Sequence, residues 1–459
     1  MLSNRLPFTV GHGANGLERR ASTGGVISSL DAVLRRHGGT WIGWPGLPIG
    51  AGEPAASDDA GDYRVAPIHL SEAEVIHYYD GFANRTLWPL LHSMPERARF
   101  KEEDWRSYER VNRRFAETAL TAATREMPVW VNDYHLMLVP GIIRRQAPRQ
   151  RVAFFLHIPF PPEDVFGQCP WHQDLLRGLL GSDVVGVQTV GHIENFFRAA
   201  ERLPGADVDR HARLVRHAGR TTKVDAVPVG ADFHYFDTRA RARTRKAPGK
   251  HIVLGVDRLD YTKGIGERIQ AFVRLLKDHP EHRENVTFIQ LVVPSRPHLP
   301  EYQELKREVE ALVDDANRSF GTPGWTPIDY RYGSLPREEL MKFYRDADVA
   351  LVTPLSDGMN LVAKEYVACQ VEGAGVLVLS RSAGASETMR EALTVEANDI
   401  GGTAEALHRA LVMDDYERQM RMEVLRDRER GNDVYVWAGR LLESLLPSKG
   451  VVVGDRREM

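Results

Sequence analysis

The chain has 459 residues, of which 42% are apolar and 27% charged, and its net charge is −3. That length exceeds one ordinary core and predicts two domains. The near-neutral charge leaves no basic footprint demanding nucleic acid or an anionic membrane. Two distant cysteines, Cys169 and Cys369, make neither a disulfide framework nor a C-x-x-C metal pair. No apolar run approaches the roughly 20 residues of a membrane span, and the amino terminus lacks a signal-peptide pattern. A reduced, cytoplasmic compartment is expected.

In chain order, Thr23-Gly24-Gly25-Val26 is a glycine turn before a helix, weak evidence for phosphate binding when taken alone. Residues 48–62, rich in Gly, Ala, Asp and Pro, read as a mobile loop. Val111, Phe115, Ala119 and Ala122 share one helical face. The short strand 129–131 leads into Asn132-Asp133-Tyr134-His135, where a carboxylate can orient or deprotonate a hydroxyl, or equally cap a helix over 136–145. Strand 152–156 leads into His157-Ile158-Pro159-Phe160-Pro161-Pro162, whose prolines fix the loop and hold His157 at the strand mouth. A further strand covers 183–187. Asp207-Val208-Asp209 has the spacing of a metal-binding D-x-D but lies in an Arg-rich, loop-like stretch, and is set aside.

The best domain boundary is 228–249. Its basic run, 239–246, reads as a solvated helix face or linker rather than a nucleic-acid patch. The second half repeats the rhythm with strands at 252–256, 287–293, 349–352 and 376–379, and a helical face at Tyr302, Leu305, Val309 and Leu312. Strands alternating with helices predict parallel sheets covered on both faces. Residues 433–446 form an amphipathic terminal helix, and periodicity does not say which domain it docks on. The tail after Val451 is expected to be polar and frayed.

Two motifs in the second half carry the densest chemistry. Asp257-Arg258-Leu259-Asp260-Tyr261-Thr262-Lys263-Gly264 follows a strand directly. Ligands of open α/β sheets sit at such strand ends. Two cations beside a helix start make an anion site suited to a diphosphate leaving group, although an Arg–Asp pair at a strand end fits the same residues. Ser356-Asp357-Gly358-Met359-Asn360-Leu361-Val362-Ala363-Lys364-Glu365 follows the strand 349–352. Asp357 can accept sugar hydroxyls, Gly358 and Asn360 can present amides, and Glu365, a turn into a helix, can reach a ribose diol. An Asp cap with a solvated Glu is the plain alternative. No G-x-S-x-G elbow, H-E-x-x-H or P-loop occurs.

Taken in order, Leu2-Ser3-Asn4-Arg5, Trp41-Ile42-Gly43-Trp44, Tyr78-Tyr79, Leu87-Trp88-Pro89, residues 132–135, 157–161, 258–263 and 357–366 resemble the motifs of the trehalose-6-phosphate synthases, from Leu2 to about Leu446. Each is weak singly; the ordered set is specific. The resemblance implies a retaining GT-B glycosyltransferase with two Rossmann-like domains. Residues 1–230 would bind the acceptor and 231–432 the nucleotide sugar, with helix 433–446 crossing back to the first domain. It implies that Arg258 and Lys263 hold the donor diphosphate, with Gly24 and Gly25 closing over it. Asp357 and the backbone of Gly358, Met359, Asn360, Leu361 and Val362 would hold the donor, and Glu365 its ribose. His157 would contact the donor sugar near the reacting carbon. Arg5 and Arg296 would grip the phosphate of glucose 6-phosphate, while Tyr79, Trp88 and Asp133 position its ring.

The family's donors are UDP-, GDP- or ADP-glucose, with UDP-glucose favoured by frequency. The leaving phosphate helps to deprotonate the acceptor, so no glycosidase-like carboxylate pair is needed. No metal or organic cofactor, nucleic acid or membrane is implied; a homo-oligomer is compatible. The alternatives are a sister transferase with another phosphorylated acceptor (glucosylglycerol-phosphate or aminocyclitol-phosphate synthase) or a catalytically silent sugar-phosphate binder. Two departures from the family pattern stand out. Only Met1 and Leu2 precede Ser3-Asn4-Arg5, where the family has a longer apolar run, so a start upstream of Met1 is expected. Ser356 stands where many members carry Arg.

Overall fold

The computed structural model describes residues 1–13, 16–21, 25–46, 61–124, 127–245 and 249–445. The first sheet has nine strands in the order Arg64–Pro67, Thr40–Trp44, Leu2–Arg5, Val129–Asn132, Val152–Phe155, Val184–Val187, Arg220–Ala226, Leu214–His217, Asp207–Asp209. Its first seven strands run parallel, and the last two turn back as antiparallel neighbours. The short strand Leu2–Arg5 is interior and pairs with Thr40–Trp44 on one side and Val129–Asn132 on the other. Asp207–Asp209 is therefore an edge strand and not a loop. Asp207 pairs with Arg216 and Asp209 accepts from the Ala212 amide, so its carboxylates have protein partners.

The second sheet has six strands, all parallel, in the order Ile328–Tyr332, Val286–Val293, His251–Arg258, Val349–Val352, Val376–Ser380, Leu393–Val395. The strands Val129–Asn132, Val152–Phe155, Val184–Val187 and Val349–Val352 are buried at every residue. Continuous apolar runs of this kind belong to sheets covered on both faces. A small antiparallel hairpin, Phe8–Gly13 with Gly16–Ala21, stands apart from both sheets. Helix Glu102–Ala122 buries Val111, Phe115 and Ala119; Ala122, at its fraying end, is exposed. Among the described residues no helix is long and apolar enough to cross a membrane.

The stretch between the two sheets holds a helix, Phe233–Arg241, started by Asp232, whose side chain accepts from the Tyr235 amide. Arg426 on helix Asp415–Arg430 ties this helix down through Asp237 and also donates to the carbonyls of Val367 and Ala368. Helix Val434–Glu443 begins where Asp433 caps its first turn. Trp437 then packs on Trp130 and Phe155 of the first sheet, at ring distances of 5.0 and 5.1 Å, and Arg36 lies over the Tyr435 ring. One continuous apolar cluster joins Trp41, Trp130 and Phe155 to Leu254 of the second sheet and to Met359 and Tyr366 of the segment that follows strand Val349–Val352, with Trp437 and Leu441 inside it.

Candidate active site

Six of the predicted site residues stand at or just past the carboxyl ends of strands. Arg5 closes Leu2–Arg5, Asp133 follows Val129–Asn132, and His157 follows Val152–Phe155. Arg258 ends His251–Arg258, Arg296 follows Val286–Val293, and Asp357 follows Val349–Val352. This is where open α/β sheets bind ligands, and here the ends of two sheets meet. Gly358 marks the closest approach. A Cβ there would collide with the His157 carbonyl oxygen and come 2.8 Å from the Ile158 Cα. Gly25 is brought to the same loop, since a Cβ on it would lie 2.6 Å from Leu361. Gly24 lies outside the described residues.

In the second domain, Gly264 has φ +62° and caps helix Ile265–Asp278, a left-handed geometry that favours glycine. The preceding turn directs Lys263 to Asp357, Nζ to Oδ2 at 2.6 Å, and Asn360 Nδ2 donates to the same oxygen at 3.1 Å. Asn360, not Asp357, caps helix Leu361–Cys369 by accepting from the Ala363 amide, which leaves the Asp357 carboxylate to Lys263. Burial alone would lift the Asp357 carboxyl, but Lys263 overcomes this and holds it below the usual range. Glu365 accepts from the Tyr344 hydroxyl at 2.9 Å, and burial raises its pKa. Leu361 and Val362 are half-buried on the same turn, and Met359 is buried. Asp257 pairs with buried Arg268 and not with its neighbour Arg258. Arg258 is exposed and, among the described residues, forms no ion pair; its guanidinium lies 5.3 Å from the Trp88 ring centre.

On the facing domain, Arg5 lies over the rings of Trp44 and Tyr79, at 4.0 and 5.0 Å. Desolvation pushes the Tyr79 phenol up, but the charges of Arg5 and Arg296 outweigh it and hold it below its ordinary value. Arg296 donates to Asp260 at 2.9 Å and to Asn84 Oδ1 at 2.8 Å, and also bonds the Tyr302 hydroxyl. Trp88 donates to Asp260 at 3.3 Å, so that carboxylate joins both domains. Burial opposes its charge, yet Arg296, Arg258 and Lys263 pull the Asp260 pKa to about 2.

His157 is a neutral imidazole, because burial lowers its pKa to about 3. Asn132 Nδ2 donates to the Leu2 carbonyl, so its Oδ1 accepts from His157 Nε2 at 3.1 Å. Nδ1 then carries the lone pair, and it has no hydrogen-bond partner among the described residues. Asp133 has φ +76° and its side chain caps no helix; it accepts from the His157 amide at 3.2 Å.

Burial lifts the Asp133 carboxyl from 3.8 to about 7, against the amides of Tyr134 and His157 and the charge of Arg258. The folded chain therefore holds this proton more tightly than the unfolded chain. The stability it contributes is complete below the unfolded pKa, near 4, and is lost as pH rises through about 7. Denaturation midpoints measured from pH 4 to 8 should fall more steeply in the wild type than in Asp133→Asn. Parallel pH profiles would remove this assignment.

Four contributors escaped the sequence reading. Asp260 lay inside a recognised motif without a role. Asn84 and His92 flank Trp88 at four residues on either side, a helical neighbour spacing that could have pointed to them. His92 packs on the Trp88 ring at 4.2 Å, and burial lowers its pKa to about 4. In the sequence Tyr302 reads only as part of an apolar face.

The sequence profile of glycosyltransferase family 20 matches residues 1–446. The chain belongs to glycosyltransferase family 20. Trehalose-6-phosphate synthase of Mycolicibacterium gilvum is 41% identical over 97% of this family 20 chain and 93% of its own length. The bifunctional trehalose-6-phosphate synthase/phosphatase of Thermoproteus tenax is 40% identical over 98% of the chain, which spans 63% of that longer protein. The α,α-trehalose-phosphate synthase (UDP-forming) of Burkholderia xenovorans, solved in complex with glucose-6-phosphate, superimposes with a TM-score of 0.89 at 35% identity, covering 92% of this chain and 96% of that one. The architecture is GT-B, and the protein is a glycosyltransferase.

Proposed function

We propose that this glycosyltransferase moves glucose from UDP-glucose to glucose 6-phosphate with retention of configuration, giving α,α-trehalose 6-phosphate. The observation that carries the reading is the meeting of two cation sets in one cleft: Arg258 with Lys263 from one domain, and Arg5 from the other beside Arg296. A diphosphate donor and a phosphorylated acceptor need two such sets. The UDP-forming relative solved with glucose-6-phosphate supports both substrates.

In this reading Arg258 and Lys263 neutralise the leaving diphosphate, with Gly24 and Gly25 as further donor contacts. Asp357 and the backbone from Gly358 to Val362 hold the donor sugar and phosphates, and Glu365 holds the ribose. His157 contacts the donor sugar near the reacting carbon. Arg5 and Arg296 take the acceptor phosphate, while Tyr79, Trp88 and Asp133 shape the ring site. Closure of the two sheets excludes water and favours transfer over hydrolysis.

The test is a product assay pairing UDP-, GDP- and ADP-glucose with glucose 6-phosphate, glycerol 3-phosphate or water. Trehalose 6-phosphate is expected from UDP-glucose and glucose 6-phosphate. Product from another donor corrects the nucleobase, product with glycerol 3-phosphate alone overturns the acceptor, and no turnover with any pair overturns the reading.

A further inference from the structure

At the far end of the second domain, a cluster of ionisable side chains converges that the transfer reaction does not use. His279, Glu281 and His282 come from the turn after helix Ile265–Asp278, and His408 comes from helix Ile400–Val412 packed beside it. His279 Nδ1 lies 3.4 Å from Glu281 Oε1, which lies 3.9 Å from His408 Nδ1. His408 Nδ1 in turn lies 3.0 Å from His282 Nε2. His279, Glu281 and His408 can each offer a ligand atom, all within 4.8 Å of one another. Four donors around zinc at about 2.0–2.2 Å stand roughly 3.4 Å apart at the corners of a tetrahedron. The three measured separations bracket that edge.

We propose that His279, Glu281 and His408, with His282 beside His408, form a binding site for a divalent transition metal of the zinc class. Imidazoles with one carboxylate suit such an ion, whereas Mg²⁺ and Ca²⁺ favour all-oxygen shells. Glu405 Oε2 stands 3.3 Å from His279 Nε2, placing a carboxylate behind a ligating imidazole. The His279 and His408 rings now stack at 3.7 Å and 10°, and they must tilt apart to aim at one ion. Their exposures of 22 and 23% leave room for this.

The turn precedes strand Val286–Val293, whose opposite end leads to Arg296. Eight residues at about 3.3 Å each put the ion roughly 26 Å from the cleft. It is a brace between two helices and not a catalytic metal. The helix it grips at one end, Ile265–Asp278, begins beside Lys263 at the other.

The untagged full-length chain, stripped with EDTA and desalted, is titrated with ZnCl₂ by calorimetry. One ion per chain is expected, with binding weakened more than about 100-fold in the His279→Gln/His408→Gln variant, since removing an outer-shell partner alone costs about 10- to 100-fold. ZnCl₂ but not MgCl₂ should raise the thermal midpoint of the wild type by mass action, and Co²⁺ should give the visible absorption of a tetrahedral site. Glucosyl transfer and the circular dichroism of the variant should match the wild type. Equal zinc affinity in wild type and variant, or no zinc binding, overturns the proposal.

Discussion

Arg258→Ala is expected to lower kcat by about 100- to 1,000-fold, the scale of losing one preorganised donor to a developing negative charge. The side chain stands exposed at the mouth of the second sheet with no described ion-pair partner, so its removal costs the fold little. Lys263, by contrast, is paired with Asp357 in the structure and shares its charge with that carboxylate, so Arg258 carries the larger part of the neutralisation. Its loss should also raise the Asp133 pKa above about 7, because Arg258 is the one charge holding that carboxyl down. Steady-state rates with saturating donor and acceptor check the first effect, and the pH dependence of stability checks the second. A variant with near-wild-type kcat would remove Arg258 from leaving-group stabilisation.

Trp437→Ala should cost about 3–5 kcal/mol of stability, the usual range for deleting a buried aromatic side chain. Trp437 is 1% exposed and touches Trp130, Phe155 and, at 5.7 Å, the His157 ring. The cavity would open beneath the loop that carries His157, so turnover should fall along with stability. Trp437→Phe, which keeps most of the packed volume, should restore most of both. Urea denaturation read by circular dichroism, alongside the rate, separates the outcomes. An unchanged midpoint in Trp437→Ala would mean that the terminal helix is not a structural tie.

Much of this was legible in the sequence because it is local. Strands such as 152–155 and 349–352 are continuous apolar runs, and the residues after them had to emerge at strand mouths. Asp133, His157, Arg258 and Asp357 were found by that logic together with the family resemblance. Proline and glycine reported their own geometry, as at Gly264. Local competition among caps was not legible. Asp357 and Asn360 lie three residues apart, and either could have capped the helix; the chain chose Asn360. The same holds for Asp257, whose partner is Arg268, eleven positions away, and not adjacent Arg258.

The sequence by itself determined the α/β rhythm, the family and the residue types offered at each strand end, since these depend on periodicity and short-range chemistry. Only the tertiary structure decided which of those residues share an environment. Asp260 is the clearest case: the sequence places it in a motif, but its meaning comes from Trp88 and Arg296, far away along the chain, converging on one carboxylate. The His279–His408 cluster is another, made from a turn and a helix 126 positions apart. Burial and charge depend on the full three-dimensional surroundings of a group, so the raised Asp133, the lowered Asp260 and the neutral His157 could not exist until the two sheets had met.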